Sequence, residues 1–272
     1  MTESLTPTTQ WAPAHGAEIA FDVSGSGPAV LLLHAGLGDR TMWDAQLPAF
    51  APEFTVIRVD ARGFGETIMP PSAYASTADL LAVLDQLNVD RAHVVGVSMG
   101  SQTAIELAVV APERVASLTA VAARAGEPVS PELRAEWDHV NALAEAGDID
   151  GAVEYEIRMW VDGPGRTPEQ VDPAVRERAR VMNAALFTRT DTEGEEIDIE
   201  PPVAERLGDI TAPTLVVYGD QDIADVQRAG PKLAAAIPGA RLVVLPDTAH
   251  LPQLERPAAF NEIVLEFLRG VE

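Results

Sequence analysis

Short apolar runs alternate with helical patterns along the first half of this chain. The runs cover residues 19–23, 29–33, 55–59, 92–97 and 115–121. Uninterrupted apolar runs of this length are typical of strands that are buried on both faces of a sheet. Patterns with helical spacing lie between them, over residues 41–50, 76–87 and 99–110. Because strands that alternate with helices pair in parallel through crossover connections, this order predicts an α/β fold with helices on both faces of a parallel sheet.

The second half of the chain contains a charged helical stretch and then returns to the strand pattern. Residues 126–207 lack strand-like apolar runs, and helices are predicted around 131–145, 150–160 and 168–187. Residues 190–202 are acidic and rich in turn formers, which predicts an exposed loop. Strand patterns return at 214–218 and 241–245, with helices predicted over 226–236 and 257–269. We therefore predict a core domain of residues 1–125 and 208–272, with residues 126–207 inserted as a helical cap.

Composition excludes several classes of function. The chain has 42 Asp and Glu residues against 19 Lys and Arg, and its formal net charge is −23. A phosphate backbone is bound by clustered Lys and Arg, so we expect no nucleic-acid partner, and we expect no binding to an anionic membrane for the same reason. The absence of Cys excludes disulfides, thiolate metal sites and a Cys nucleophile. The first residues do not resemble a signal peptide and no apolar run is long enough for a transmembrane helix, so we expect a cytoplasmic protein.

The segment Gly96-Val97-Ser98-Met99-Gly100 joins a predicted buried strand to a predicted helix. A serine hydroxyl is a weak nucleophile that must be exposed beside a base, and a sharp strand-to-helix turn supplies that position. Such a turn strains the serine backbone and crowds its neighbours, which favours Gly on either side. Ordinary tight turns can contain the same residues, but the position between strand and helix favours a nucleophile at Ser98.

With Ser98 in this position, the sequence resembles the α/β-hydrolase superfamily outside the helical insertion. Four other segments follow the family's motifs in the family's order: His34–Gly38, Asp60–Gly65, Gly219–Asp222, and Ala249–His250 with Pro252, Glu255 and Pro257. The resemblance is greatest to small esterases and enol-lactonases. It implies a mostly parallel eight-stranded sheet flanked by helices, a helical cap insertion and no cofactor. Ala35 and Ala249 replace the usual Gly, and Ser101 follows Gly100 where a second Gly is frequent.

The resemblance implies a catalytic triad of Ser98, Asp222 and His250 in the family's chain order. His250 follows the last predicted strand, at the edge of the sheet where open parallel sheets bind ligands. It could take the Ser98 proton and return it to a leaving group. Asp222 occupies the family's acid position, and Asp220 is the alternative. Asp247 is interpreted as a residue that orders the loop.

The family register also implies an oxyanion hole. Its two donors would be the backbone amides of Gly36 and Met99. The resemblance gives His34, in the same loop as Gly36, a structural role near the site. No metal site is expected, because the His and carboxylate residues do not form a ligand-like cluster.

The sequence constrains the substrate pocket less than the triad. Candidate pocket residues are His34, Trp137, Trp160 and Met182. Met and aromatic residues at helical spacing are also common in ordinary core packing, so both interpretations stay open. Arginines of the insertion could hold a substrate carboxylate or could balance the acids of an exposed face; they include Arg158, Arg176 and Arg180.

These features together predict hydrolysis of a small-molecule carboxylic ester or lactone through an acyl-enzyme. A cofactor-free perhydrolase or haloperoxidase and a carbon–carbon bond hydrolase would use the same triad and are alternatives. A hydrolase-fold protein that senses a small molecule with little turnover is an alternative of a different class. Ser98 argues against epoxide hydrolases and haloalkane dehalogenases, which use an Asp nucleophile. The sequence contains no pattern from which we infer an oligomeric state.

Overall fold

The computed structural model describes residues 7–189 and 194–271. Its strands are β1 (Gln10–Ala14), β2 (Ala17–Gly25), β3 (Ala29–Leu33), β4 (Thr55–Val59), β5 (Ala73–Tyr74), β6 (Ala92–Val97), β7 (Val115–Val121), β8 (Glu195–Glu196), β9 (Thr214–Gly219) and β10 (Arg241–Leu245). Its α-helices are α1 (Leu47–Phe50), α2 (Ser76–Gln86), α3 (Met99–Val110), α4 (Pro131–Glu145), α5 (Ile149–Ile157), α6 (Pro173–Leu186), α7 (Ala224–Ala236), α8 (Pro252–Glu255) and α9 (Pro257–Arg269).

Eight strands pair into one sheet in the order β1-β2-β4-β3-β6-β7-β9-β10. The pairs β1–β2 and β2–β4 are antiparallel, and the other neighbours in this sheet are parallel. The predicted mostly parallel eight-stranded sheet is therefore confirmed. A separate ribbon pairs β5 with β8, so the predicted loop at 190–202 contains a short strand. Residues 190–193 of that loop lie outside the described residues.

The winding of the sheet reverses at β3. This strand has β4 on one side and β6 on the other. In open parallel sheets such a reversal opens a crevice at the carboxyl ends of the two diverging strands. His34 directly follows β3 and Ser98 directly follows β6. The topology therefore brings these two sequence motifs to one crevice.

The central strands divide their side chains between two hydrophobic clusters, one on each face of the sheet. Along β3, Val30 and Leu32 belong to the first cluster, whereas Leu31 and Leu33 belong to the second. Every residue of β3 and β6 is buried, which explains why their sequences, His93 excepted, are apolar without alternation. Each fully buried Leu or Val stabilises the fold by roughly 1.5–3 kcal/mol relative to an exposed side chain. Because both faces of the sheet are packed, the strands that border the crevice are held rigidly.

Two elements of the first half differ from the sequence prediction. The sequence analysis does not predict β1, an edge strand whose exposed and buried residues alternate and which contains Pro13. The helix predicted over 41–50 is instead a 3₁₀ turn at Arg40–Trp43 followed by the single turn of α1. Pro48 has no N–H group to donate to the carbonyl of Asp44, which disfavours one continuous α-helix there.

Helices α4, α5 and α6 occupy the chain between β7 and β9. A π-helical turn at Arg158–Asp162 extends α5 and brings Trp160 inward. Helix α5 packs against both α4 and α6, so the three helices form one layer. No helix among the described residues combines the length and the apolar character needed to cross a bilayer.

Candidate active site

Ser98 lies in a strained turn between β6 and α3. Its φ is 54° and its ψ is −114°, a backbone conformation that is rare outside Gly. A Cβ atom on Gly96 would lie 2.1 Å from the carbonyl oxygen of Gly100, and one on Gly100 would lie 2.5 Å from that of Leu33. Both positions therefore require Gly because backbone passes too close. The Ser98 amide donates to the Val121 carbonyl at 2.8 Å, which anchors the turn on β7.

A chain of hydrogen bonds joins Ser98, His250 and Asp222. His250 Nε2 lies 2.8 Å from Ser98 Oγ, and His250 Nδ1 lies 3.0 and 2.9 Å from the two Asp222 carboxylate oxygens. An ionised carboxylate can only accept hydrogen bonds, so Nδ1 carries the proton and Nε2 is left to accept from the serine hydroxyl. The Asp222 side chain is fully buried and also accepts from the Ile223 amide at 2.7 Å. This geometry allows a proton to pass from Ser98 to His250.

The alternative acid, Asp220, contacts a different residue. Its side chain accepts from the Asp247 amide at 2.8 Å, across the gap between the loops that follow β9 and β10. Asp220 is exposed, and no hydrogen bond joins it to His250 among the described residues. Asp247 itself has a φ of 56° and is exposed in the turn before His250. The two residues connect the loops that carry Asp222 and His250.

A buried ion pair supports the loop of His250. Glu255 accepts the Ala249 amide at 2.7 Å and pairs with Arg166 at 2.6 Å. Burial raises the pKa of Glu255 from 4.5 to about 7, although Arg166 opposes the shift. Arg166 also donates to the carbonyl of Val161, in the π-helical turn. The motif residue Glu255 is thus linked to an insertion arginine that the sequence analysis did not single out.

Trp160 contacts the other side of His250. The two ring centroids are 4.4 Å apart with an interplanar angle of 40°, and the His250 amide donates to the Trp160 carbonyl at 3.2 Å. The insertion therefore fixes both the backbone and the ring of His250. This contact joins residues that are far apart in the sequence, so periodicity alone could not have predicted it.

Gly36 and Met99 lie together at the mouth of the turn. A Cβ atom on Gly36 would be 3.7 Å from both Cβ and Sδ of Met99. Within residues 7–189 and 194–271, neither backbone amide donates to a protein acceptor. The Gly100 amide donates to the His34 carbonyl at 3.1 Å, which joins the two backbone segments.

His34 is almost completely buried, and both of its ring nitrogens are engaged. Nε2 accepts the Ala61 amide at 3.0 Å, so Nδ1 carries the proton and donates to the Ala35 carbonyl at 2.8 Å. Burial lowers the pKa of His34, which favours this neutral form. The His34 side chain therefore links the loop after β3 to the loop after β4 through hydrogen bonds.

A cavity of about 600 Å³ opens onto Ser98 and His250. Gly36 and Met99 line it, and the insertion contributes Trp137, Glu156 and Trp160 to its walls. Its volume falls within the usual range for small-molecule sites. Two of the predicted pocket residues, Trp137 and Trp160, thus line the cavity that holds Ser98.

The other two predicted pocket residues do not line this cavity. His34 is turned into the hydrogen bonds between its loop and the next. Met182 is buried and packs beside Gly38, where an added Cβ would lie 3.2 Å from its sulfur. Met182 therefore lies outside the cavity that contains Ser98, because α6 directs this side chain into the packing against the core.

The insertion arginines named above are not directed into the cavity. Arg176 pairs with Asp162 and with Glu154, each at 2.8 Å, and Arg180 also pairs with Glu154. Arg158 is exposed and lines a different cavity. Across the described residues no group of three or more His, Asp or Glu side chains is arranged to hold a metal ion.

Comparison with known proteins identifies the family. The profile of the family described as alpha/beta hydrolase fold matches residues 28–257. A hydrolase from Pseudomonas aeruginosa PA01 is 31% identical with a TM-score of 0.77, covering 98% of this chain and 99% of that chain. The enol-lactonase from Burkholderia xenovorans LB400 is 26% identical with a TM-score of 0.78, covering 96% and 100%. A thermophilic esterase from Thermogutta terrifontis is 29% identical with a TM-score of 0.77, covering 98% and 99%. The chain therefore belongs to the α/β-hydrolase fold family.

Proposed function

We propose that this protein is a serine hydrolase that cleaves a carboxylic ester or lactone of a small molecule through an acyl-enzyme. The hydrogen-bonded chain from Ser98 through His250 to the buried Asp222 is the observation that carries the proposal. The esterase and the enol-lactonase among the similar solved structures support the same class of reaction.

In the first step Ser98 Oγ attacks the substrate carbonyl carbon while His250 Nε2 takes the hydroxyl proton. The 2.8 Å distance between these atoms suits direct proton transfer. Asp222 keeps the Nδ1 proton in place and stabilises the imidazolium that forms. Burial of Asp222 beneath the site strengthens this interaction, because water does not compete for the carboxylate.

The carbonyl oxygen becomes negatively charged as the tetrahedral intermediate forms. We assign its stabilisation to the backbone amides of Gly36 and Met99, which have no competing protein acceptor among the described residues. The start of α3 adds the positive end of the helix dipole. Preorganised donors of this kind supply a large part of the rate enhancement in acyl transfer.

His250 then returns the proton to the departing alcohol, and the acyl group stays on Ser98. Water enters, loses a proton to His250 and cleaves the acyl-enzyme by the reverse sequence of steps. In a lactone the leaving alcohol stays attached to the acyl group, so one ring-opened hydroxy acid is released.

Residues 126–207 act in this proposal as a cap over the core formed by residues 1–125 and 208–272. Trp137 and Trp160 of the cap line the cavity, and Trp160 lies against the base. A cap of this kind excludes water from the acyl-enzyme and selects substrates by shape.

The test compares wild type with Ser98→Ala on 4-nitrophenyl esters of increasing acyl length and on five- and six-membered lactones. We expect Ser98→Ala to lower kcat by about 10⁴-fold or more, to the background rate. Ser26→Ala is the matched control, because Ser26 is exposed in the turn between β2 and β3. A fluorophosphonate should add one covalent label to wild type and to Ser26→Ala, but none to Ser98→Ala. Equal hydrolysis by wild type and Ser98→Ala, or labelling of both, would overturn the proposal.

A further inference from the structure

Arg124 follows β7 by three residues and lines the cavity that contains Ser98. Its Nη1 is shielded from solvent and has no hydrogen-bond partner. No salt bridge or hydrogen bond to this side chain is found within the described part of the chain. A guanidinium carries five N–H donors, and a desolvated cation without a partner costs free energy. Burial lowers the pKa of Arg124, because desolvation disfavours the charged form of the guanidinium.

An aromatic ring holds the guanidinium in place. The Arg124 Cζ atom lies 5.5 Å from the ring centroid of Trp137, in cation–π contact. Trp137 lines the same cavity. This contact orients the plane of the guanidinium but uses none of its N–H donors, which stay available to a ligand.

The acidic residues near Arg124 have other partners. Asp225 accepts from the Ser130 amide and hydroxyl at 3.1 and 2.9 Å and pairs with Arg228 at 3.1 Å. Glu127 pairs with Lys232 at 2.6 Å. Neither carboxylate therefore neutralises Arg124 by direct contact.

The backbone on both sides of Arg124 is strained. Ala122 has a φ of 51° and Ala125 a φ of 48°, and both are left-handed conformations that are uncommon for Ala. Strain of this kind persists where the surrounding structure imposes it, and it is concentrated at functional sites. The Ser98 amide is bonded to the Val121 carbonyl, three residues before Arg124. The strained loop therefore holds Arg124 at a fixed separation from the nucleophile.

Three further carboxyl groups line the cavity, at Glu106, Glu156 and Glu196. Glu196 lies exposed in β8 and accepts from the Ser76 hydroxyl, and the other two are more buried. Glu106 accepts from Gln102 at 2.7 Å, and Glu156 accepts from Asn183. Burial raises the pKa of both groups, which favours their neutral forms relative to exposed carboxylates. Their hydrogen bonds to amide donors are already made, whereas the donors of Arg124 are free.

We propose that Arg124 binds a carboxylate carried by the substrate, so that the preferred substrate is an anionic ester or lactone such as a monoester of a dicarboxylic acid. The inference rests on the proposed hydrolase function of Ser98. A carboxylate can accept two parallel N–H bonds from a guanidinium, a geometry that Lys cannot reproduce. The reacting carbonyl would lie at Ser98 and the carboxylate at Arg124, with Trp137 beside it.

The experiment uses matched pairs of 4-nitrophenyl monoesters of succinate, glutarate, adipate and pimelate. Each acid is compared with its methyl-capped form, which has the same chain without the charge. We expect wild type to prefer the free acid at one chain length, as judged by kcat/KM. Arg124→Met should lower the ratio of kcat/KM for acid over capped ester by about 10- to 150-fold, the usual range for a hydrogen bond to a charged group. Arg124→Lys should recover only part of this ratio.

Arg158→Met is the control for net charge, because Arg158 is an exposed insertion arginine on a different cavity. It should leave the ratio within about twofold of wild type, since exposed charges are screened by solvent. A second measurement uses wild type alone: free glutarate, adipate or pimelate should inhibit hydrolysis of a neutral ester competitively, and the dimethyl esters, which carry no carboxylate, should inhibit it much less. This measurement stands even if an Arg124 variant does not fold.

The outcomes separate the two proposals. If Ser98-dependent hydrolysis occurs but the acid-to-capped ratio is the same in wild type and Arg124→Met, then the inference about Arg124 is wrong and the proposed function stands. An equal loss on acids and capped esters would assign Arg124 a purely structural role and would also overturn the inference. If no ester is hydrolysed in a Ser98-dependent manner, the proposed function fails, and diacid binding can still be measured by calorimetry.

Discussion

Glu255→Gln should remove a component of stability that depends on pH between 4.5 and about 7. Only 4% of the Glu255 side chain is exposed, and it lies between the Ala249 amide and Arg166. Gln keeps the shape and can still accept the Ala249 amide, but it cannot ionise. The variant therefore isolates the cost of holding a carboxylate at this buried position.

The size of the effect follows from the pKa of Glu255, which burial raises from 4.5 to about 7. Below 4.5 this group is protonated in both the folded and the unfolded chain, so it contributes no pH dependence. Between the two values the folded protein keeps a proton that the unfolded chain releases, and the free energy of unfolding falls as pH rises. One pH unit corresponds to about 1.36 kcal/mol, so the loss is about 3 kcal/mol by pH 8.

The assay is urea denaturation of wild type and Glu255→Gln at intervals from pH 4.5 to 8.5, at constant ionic strength. The measured quantity is the variant's free energy of unfolding minus that of wild type. We expect this difference to rise by about 3 kcal/mol across the range in favour of Gln. A constant offset from the lost bond to Arg166 does not affect the slope. Glu262→Gln is the control, because it removes an exposed carboxylate from α9.

Parallel stability curves for wild type and Glu255→Gln would refute the reasoning. They would mean that Arg166 holds Glu255 ionised throughout the range and offsets its burial. A difference that falls with rising pH would point to the same conclusion, since a lowered pKa in the folded state has the opposite sign. A slope shared by Glu262→Gln would reflect net charge alone.

The remaining predictions concern the triad, the nucleophile turn and the core. Asp222→Asn should lower kcat by roughly 10⁴-fold with little change in KM, because an amide favours the wrong tautomer of His250; a loss below tenfold in steady-state assays would contradict the assigned role. Gly100→Ala should destabilise the fold by about 1–3 kcal/mol, because its Cβ would lie 2.5 Å from a backbone carbonyl; unchanged urea denaturation would contradict this. Asp22→Ala should cost about 3–5 kcal/mol, because Asp22 pairs with two buried arginines; calorimetry that shows no drop in Tm would contradict the prediction.

The sequence predicted most of the sheet because each central strand carries its own signal. β3 and β6 are buried on both faces, and a strand buried in this way is apolar along most of its length. β1 was missed because an edge strand is buried on one side only and its pattern is weak. The prediction of one helix over 41–50 was wrong, because it relied on the spacing of apolar residues. That spacing takes no account of the backbone N–H group that Pro48 lacks.

The residues of the candidate site likewise fall into those that the sequence selected and those that it did not place. Ser98, Asp222 and His250 each follow a strand, and chain order with local motif was enough to select them before their contacts were known. The selection of Asp222 over Asp220 came from the family register, and the two side chains do face different partners. By contrast, the pocket prediction included Met182, which packs against the core instead.

The sequence by itself determined the fold class and the chemical groups at the carboxyl edge of the sheet, because strand patterns and turn motifs are local properties of a chain. Only the tertiary structure decided which groups have partners. Arg176 is neutralised by Asp162 and Glu154, whereas Arg124 lies beside Trp137 without an acid. Pairing and desolvation depend on contacts between residues distant in sequence, and no local pattern records them.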